Sequence, residues 1–216
     1  MNIVLNDECF CLHSTSQIID IFVQCYIYAK GFVSEPVTKI LNDSNERMYS
    51  KFLSSYINFQ QVLQSIFKTS NIELIKELQF IIGSNNYLPE EVIKIPIKYC
   101  HVHKGVPGER CQENCRSLNE KEQRSFYRTF VSQFHILNDH RSKKNLKFFM
   151  YIITDNKLKE YSDFIEESDE PEYLDNCKDI KFVNITFKNS CNNNFLPHDI
   201  PNPIYYRWEK YFSIYD

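Results

Sequence analysis

The densest grouping of metal-binding residue types is CHVHKGVPGERCQENC, residues 100–115. Cys100, His101, His103, Cys111 and Cys115 are soft or borderline ligands, and Cys100, His103, Cys111 and Cys115 together could close a tetrahedral zinc site. The spacing, C-H-x-H, seven residues, then C-x3-C, follows no standard zinc pattern. Zinc therefore stands as an alternative to a packed strand end followed by a solvated loop, and with it the alternative function of a zinc-stabilised interaction or nucleic-acid-binding module built on Cys100 to Cys115. Nucleophilic chemistry is a further alternative. A cysteine hydrolase needs a thiolate, an adjacent base and a group that orients the base. The eight cysteines and six histidines allow such a pairing on paper but single out none. NDHR, residues 138–141, reads as a helix exit. The acidic run Glu166 to Glu172 lacks the alternating ligands and central glycine of a calcium loop, so it reads as a solvated loop. No catalytic residue is assigned, and the chain is expected not to be an enzyme.

Composition narrows the classes. The chain has 216 residues, 43% hydrophobic and 25% charged, as expected for a soluble globular domain. A net charge of −3 argues against a dedicated nucleic-acid binder. The longest apolar stretch, Ile18 to Ala29, is broken by Asp20 and Gln24 and is too short and polar to span a bilayer. MNIVLNDECF lacks the basic start of a secretory signal, so the cysteines are expected to be reduced thiols. With four glycines there is no phosphate-binding loop, and no cofactor is expected.

The elements follow from periodicity. Ser14 and Gln17 have capping-box spacing ahead of Ile18, Ile19, Phe22, Val23, Cys25, Tyr26, Ile27 and Ala29, and Gly31 can end the helix. Apolar residues nearly encircle this helix, which predicts that it runs through the middle of the fold. A second helix is predicted from about Glu46 to Lys68, with Met48, Phe52, Tyr56, Phe59, Leu63 and Phe67 as its stripe and Ser44 or Asn45 as its cap. Glu77 to Ile82 and Glu91 to Tyr99 read as a hairpin. Pro96 places the second strand at an edge or an irregularity, because proline cannot donate a ladder bond. A third helix is predicted from about Asn119 to Leu137, with Phe126, Phe130, Phe134 and Leu137 as its stripe. Asn145 to Asp155 and Ile180 to Lys188 read as strands, and 162–179 as a surface loop between them. The sum is one α+β domain. The chain closes on PNPIYYRWEKYFSIYD, where six of the last twelve residues are aromatic. Its rings should pack on the domain itself; docking on a neighbouring copy or on another subunit are the other readings.

The order of elements, together with several segments, resembles the HORMA domain family, which includes spindle-checkpoint, polymerase-zeta accessory and meiotic chromosome-axis proteins. CLHSTSQIIDIFVQCYIYAKGF resembles the family's opening, IKELQFIIGSNNYLPEEVIKIPIKYC its central hairpin, and EQRSFYRTF its third helix. LKFFMYIITDNKL, DFIEES and DIKFVNITFKNS resemble its last core strand, loop and mobile C-terminal strand. The match covers about residues 10–190.

The resemblance implies a non-enzymatic adaptor. Its fold would be HORMA-like, a central apolar helix and two further helices packed on a mainly antiparallel sheet, with 1–157 as core, 158–190 as a mobile safety belt and 191–216 as an aromatic extension. A partner's closure-motif peptide would add to the sheet as a strand under the belt. The residues so implied are Phe149, Tyr151 and Ile153 on the receiving strand and Ile180, Phe182, Val183, Ile185 and Phe187 on the belt. Arg124 and Arg128 would serve contacts between HORMA domains. The implied partners are closure-motif peptides, other HORMA proteins and a remodelling AAA ATPase, with neither nucleic acid nor membrane bound directly. The implied place is the nucleus, on chromosomes, with the cytoplasm as a second location.

Overall fold

A computed structural model describes residues 2–6, 12–42, 49–68, 71, 74–97, 117–134, 146–173, 180–188 and 200–213. Among these, the strands are β1 (Asn2–Asn6), β2 (Ile75–Gly83), β3 (Pro89–Pro96), β4 (Lys147–Thr154), β5 (Ile165–Ser168), β6 (Lys181–Lys188), β7 (Ile204–Trp208) and β8 (Phe212–Ser213). The helices are α1 (Leu12–Ala29), α2 (Val37–Asn42), α3 (Ser50–Ile66) and α4 (Glu120–Phe134).

The eight strands form one sheet in the order β1-β6-β3-β2-β4-β7-β5, with β8 beside β4 below β7. The β1–β6 and β3–β6 pairings are parallel and the other five antiparallel, so the fold is α+β with a mainly antiparallel sheet. One face of the sheet supplies Ile3, Leu78, Phe80, Ile93, Phe148, Met150, Ile152, Val183 and Trp208 to the core. Against it lies α1, whose Ile18, Ile19 and residues 21–27, Gln24 included, are buried, as expected of a helix that is apolar nearly all round. Phe22 sits between layers, 6.1 Å from Phe80 on the sheet and 5.4 Å from Phe130 on α4 (ring centroids).

Local chemistry explains where the helices stop and start. Gly31 takes φ 75°, and Phe32 N–H donates to the Ile27 carbonyl while Gly31 N–H donates to that of Tyr28, a Schellman end that satisfies the last turn of α1. At α4, Asn119 Oδ1 accepts from Glu122 N–H and Glu122 Oε2 from Asn119 N–H, a reciprocal capping box.

Several expectations are corrected. α1 begins at Leu12, so Ser14 lies within its first turn, buried, and Gln17 Oε1 instead accepts the Leu118 N–H at 2.7 Å. α3 begins after Tyr49, which makes no side-chain cap; Ser44 and Asn45 lie outside the described residues. The segment between the first two predicted helices contains α2, which starts after Pro36 and buries Val37 and Ile40. β3 is internal, held between β2 and β6, yet its pairing with β6 ends at Lys94, two residues before Pro96, so the missing donor costs no ladder bond on that side. The stretch 162–179, expected to be a surface loop, contains β5. β1 was not anticipated, nor were the two strands formed by the aromatic end.

That end completes the core. Trp208 and Phe212 are each 1% exposed. Trp208 stands 5.6 Å from Phe59 of α3, and Phe212 lies 5.7 Å from Phe52, Phe59 and Phe148. Replacing Trp208 by alanine is therefore expected to cost about 3–5 kcal/mol of unfolding free energy. Tyr211→Ala, on an exposed ring, should cost under about 1 kcal/mol. Denaturant unfolding of both variants checks the contrast.

Candidate strand-binding slot

β4 is flanked on its second side by the chain's own end, and how that end is seated defines the site. β7 runs between β4 and β5 and pairs antiparallel with both: Tyr205, Tyr206 and Arg207 face Ile153, Ile152 and Tyr151 on one side and Ser168, Glu167 and Glu166 on the other. Alternation then sends Tyr206 and Trp208 into the helical core, and Tyr205 and Arg207 to the opposite face.

The slot's far wall is the chain that leaves β4. Buried Asn71 fixes where it turns: its Oδ1 accepts Lys159 N–H at 2.9 Å, and its Nδ2 donates to the carbonyls of Glu160 and of Ser65 on α3. Ser65 Oγ accepts Ser162 N–H. The Tyr206 hydroxyl reaches out of β7 to accept Leu158 N–H at 3.1 Å. After β5 the chain must pass from the outermost strand on one side of the sheet to β6 near the other. Residues 169–173 take the face away from the helices, and Tyr173 accepts a 2.6 Å hydrogen bond from Gln79 of β2.

Charge is concentrated on this outer face. Arg207 donates through Nε (3.1 Å) and a terminal nitrogen to Glu166 Oε1 across the β5–β7 pair. Burial lowers the Arg207 pKa, but the Glu166 hydrogen bonds and charge outweigh it and raise the net value. Burial, with the Glu170 carboxylate beside it, pushes Tyr205 up to about 12. Burial also raises the Glu77 pKa, against the pull of Lys94. At the lower end, Tyr211 lies 5.6 Å from Phe149 with the Lys147 ammonium 4.6 Å over its ring.

The residues anticipated for peptide contact fall into two groups. Phe149, Tyr151 and Ile153 share the outer face of β4, with Tyr151 and Ile153 buried and the Tyr151 hydroxyl accepting from Asn86. The second group belongs to β6, with β3 and β2 between it and β4. There Val183 and Ile185 face the core, Phe182 is exposed, Ile180 precedes the strand, and the Phe187 backbone pairs with Leu5. Arg124 and Arg128 are exposed on α4, where Arg124 pairs with Glu120 at 3.0 Å. Cys100, His101, His103, Cys111 and Cys115 lie outside the described residues, as does NDHR; among the described residues no group of three metal-binding side chains occurs. Sequence reasoning missed Asn71, Glu166 and Arg207. The alternation in IYYRW was the available sign of β7.

A second polar cluster lies between helices. Asp20 accepts from Tyr56, Gln60 and Gln24, and Gln24 in turn accepts from Tyr127 of α4. Burial raises the Asp20 pKa despite those donors. The neighbouring Cys25 thiol is pushed up to about 12 by burial, which makes it a poor nucleophile. This cluster ties α1, α3 and α4 together.

No protein-family model matches the chain, and no curated protein matches it.

Two consequences can be measured. Asn71→Ala strands the Lys159 N–H and the Glu160 carbonyl and should cost about 1–3 kcal/mol, read by denaturant unfolding, with amide exchange rising first at 158–162. Asp20 has a folded-state pKa above its unfolded one, so its contribution is fullest below about pH 4 and is lost as pH rises through the folded value. Asp20→Asn should therefore gain stability relative to the native chain as pH rises from about 4 to 7. A constant difference across that range would refute the assignment.

Proposed function

We propose that the chain is a HORMA-type adaptor. It captures a short extended peptide of a partner protein as a strand in the slot between β4 and β5. It acts without catalysis in chromosome-associated assembly or signalling, at the meiotic axis or in the spindle checkpoint. The observation that carries this reading is the seating of β7. A separate strand is held by backbone pairing on both sides, and the chain around it leads from β4 to β5 and then, at Tyr173, over β2 on the outer face. A receptor for strands needs this arrangement: ladder bonds give affinity for any extended backbone, and alternate side-chain pockets give choice. The enclosing segment supplies a lock, because a strand seated there leaves only when β5 lifts or the strand slides out. In this reading the belt is 158–190, the receiving surface is β4 with Phe149, Tyr151 and Ile153, and the occupant in the resting chain is its own 204–213. A remodelling ATPase and other HORMA proteins, the latter through Arg124 and Arg128, are the further partners the reading carries.

A photo-crosslinking residue placed at Phe149 of the full chain tests this in nuclear extract. The expected result is crosslinks to short extended segments of partner proteins, rising several-fold when Phe212→Ala weakens the chain's own occupant. Partners that are retained on the chain but give no crosslink at Phe149 would contradict the reading.

A further inference from the structure

The chain's own end fits the slot imperfectly, and the misfit describes a better ligand. Tyr151 pairs with Arg207 and Phe148 with Phe212. Between these pairs β4 contributes two residues, Phe149 and Met150, whereas the tail contributes four, Trp208 to Tyr211. The tail thus carries two surplus residues, bulges, and breaks into β7 and β8, and the paired register skips Phe149 and Met150 on this side. An unbroken antiparallel strand would continue the ladder past them.

Each position of the slot has its own chemistry. The Tyr206 position needs a hydroxyl, because Leu158 N–H is buried and donates to it. The Arg207 position faces Glu166 and favours a base. The Trp208 position is a ring-shaped space beside Phe59 and Phe212, where the buried indole Nε1–H has no hydrogen-bond partner among the described residues, so it selects for a ring and not for a donor. In an unbroken register the residue two beyond the Trp208 position falls opposite Phe148, on the core face that Phe212 now fills.

We propose that the slot's ligand is a segment of another protein that reads tyrosine, basic, aromatic, any, aromatic as one continuous strand, for which the chain's own bulged end is a weaker placeholder. This rests on the strand-capture reading above. A second copy of the chain is the poorer occupant, since its end carries the same bulge and competes with one already tethered. The tether, 189–203, has fifteen residues to cross the four strand spacings from β6 to β7, about 19 Å. That is short enough for an effective concentration of about millimolar.

The test uses the full chain with a protease recognition sequence between residues 192 and 199, cut only after folding. Labelled synthetic peptides then compete with the severed end. The peptide 201–216 should exchange in, and the same peptide lacking Glu209 and Lys210 should bind about tenfold tighter or more. In that peptide, Trp208→Ala should lose more than about a hundredfold, Trp208→Phe should stay within about threefold, and Tyr206→Phe should lose about tenfold. Arg207→Glu should also weaken binding, and Glu166→Arg in the domain should restore it. If every peptide exchanges equally well, strand capture stands and the recognition rule is overturned. If no peptide enters at any concentration, the capture reading fails and the rule with it. A dimer of the uncut chain built by exchanged ends would assign the slot to a second copy and overturn the partner assignment.

Discussion

One interaction orders the rest: a strand from the end of the chain lies between β4 and β5 and sends two aromatic rings into the core. Without it β5 would have no partner among the described strands, because among them it pairs only with β7. Trp208, together with Phe212 of the adjoining β8, fills the space between the sheet and α3, where Phe52, Tyr56 and Phe59 converge on Phe212. Burying large rings there supplies hydrophobic stabilisation that a loose end would forfeit. The slot and the core thus share their key residues, so what fills the slot also sets how well the domain holds together.

The enclosing segment is fixed at defined points. Asn71 and the Tyr206 hydroxyl satisfy the backbone where the chain turns away from β4. Arg207 and Glu166 tie β5 to β7, and Gln79 and Tyr173 tie the crossing stretch to β2. Two of these ties are to the strand in the slot itself. On the strand-capture proposal, an occupant that reproduces them would keep the enclosure closed, and one that lacks them would leave it less constrained. Occupancy and closure would then be coupled through a few side chains with no separate switch residue.

Much of this was legible in the sequence. α1 declared itself because apolar residues encircle it, α3 and α4 because one stripe recurs every three or four residues, the β2–β3 hairpin because its second strand alternates and a turn-rich stretch precedes it, and β4 because it is a short, nearly continuous apolar run. The rest was hidden for physical reasons. β5 is four residues long and acidic on its outer side, so composition read it as loop; it is a strand only because β7 lies beside it. β1 is held by a parallel pairing with a strand some 180 residues away, which no local pattern announces. The aromatic end was expected to pack on its own domain, and it does, but its alternation is interrupted by the bulge at 209–211, which masked the strands. Asn71 carries no periodic signal; its importance comes from where two distant segments meet.

Strand capture requires β7 to be a seated strand, separable from the domain that holds it. Native-state hydrogen exchange of the full chain addresses this most directly. The amides of 205–208 and 166–168 should open together, at a lower free energy than those of the β2–β3 ladder around Leu78 to Ile82, as one sub-global unit. Exchange of 205–208 only through global unfolding, at the same free energy as β2 and β3, would contradict it and make the end a fixed part of the core.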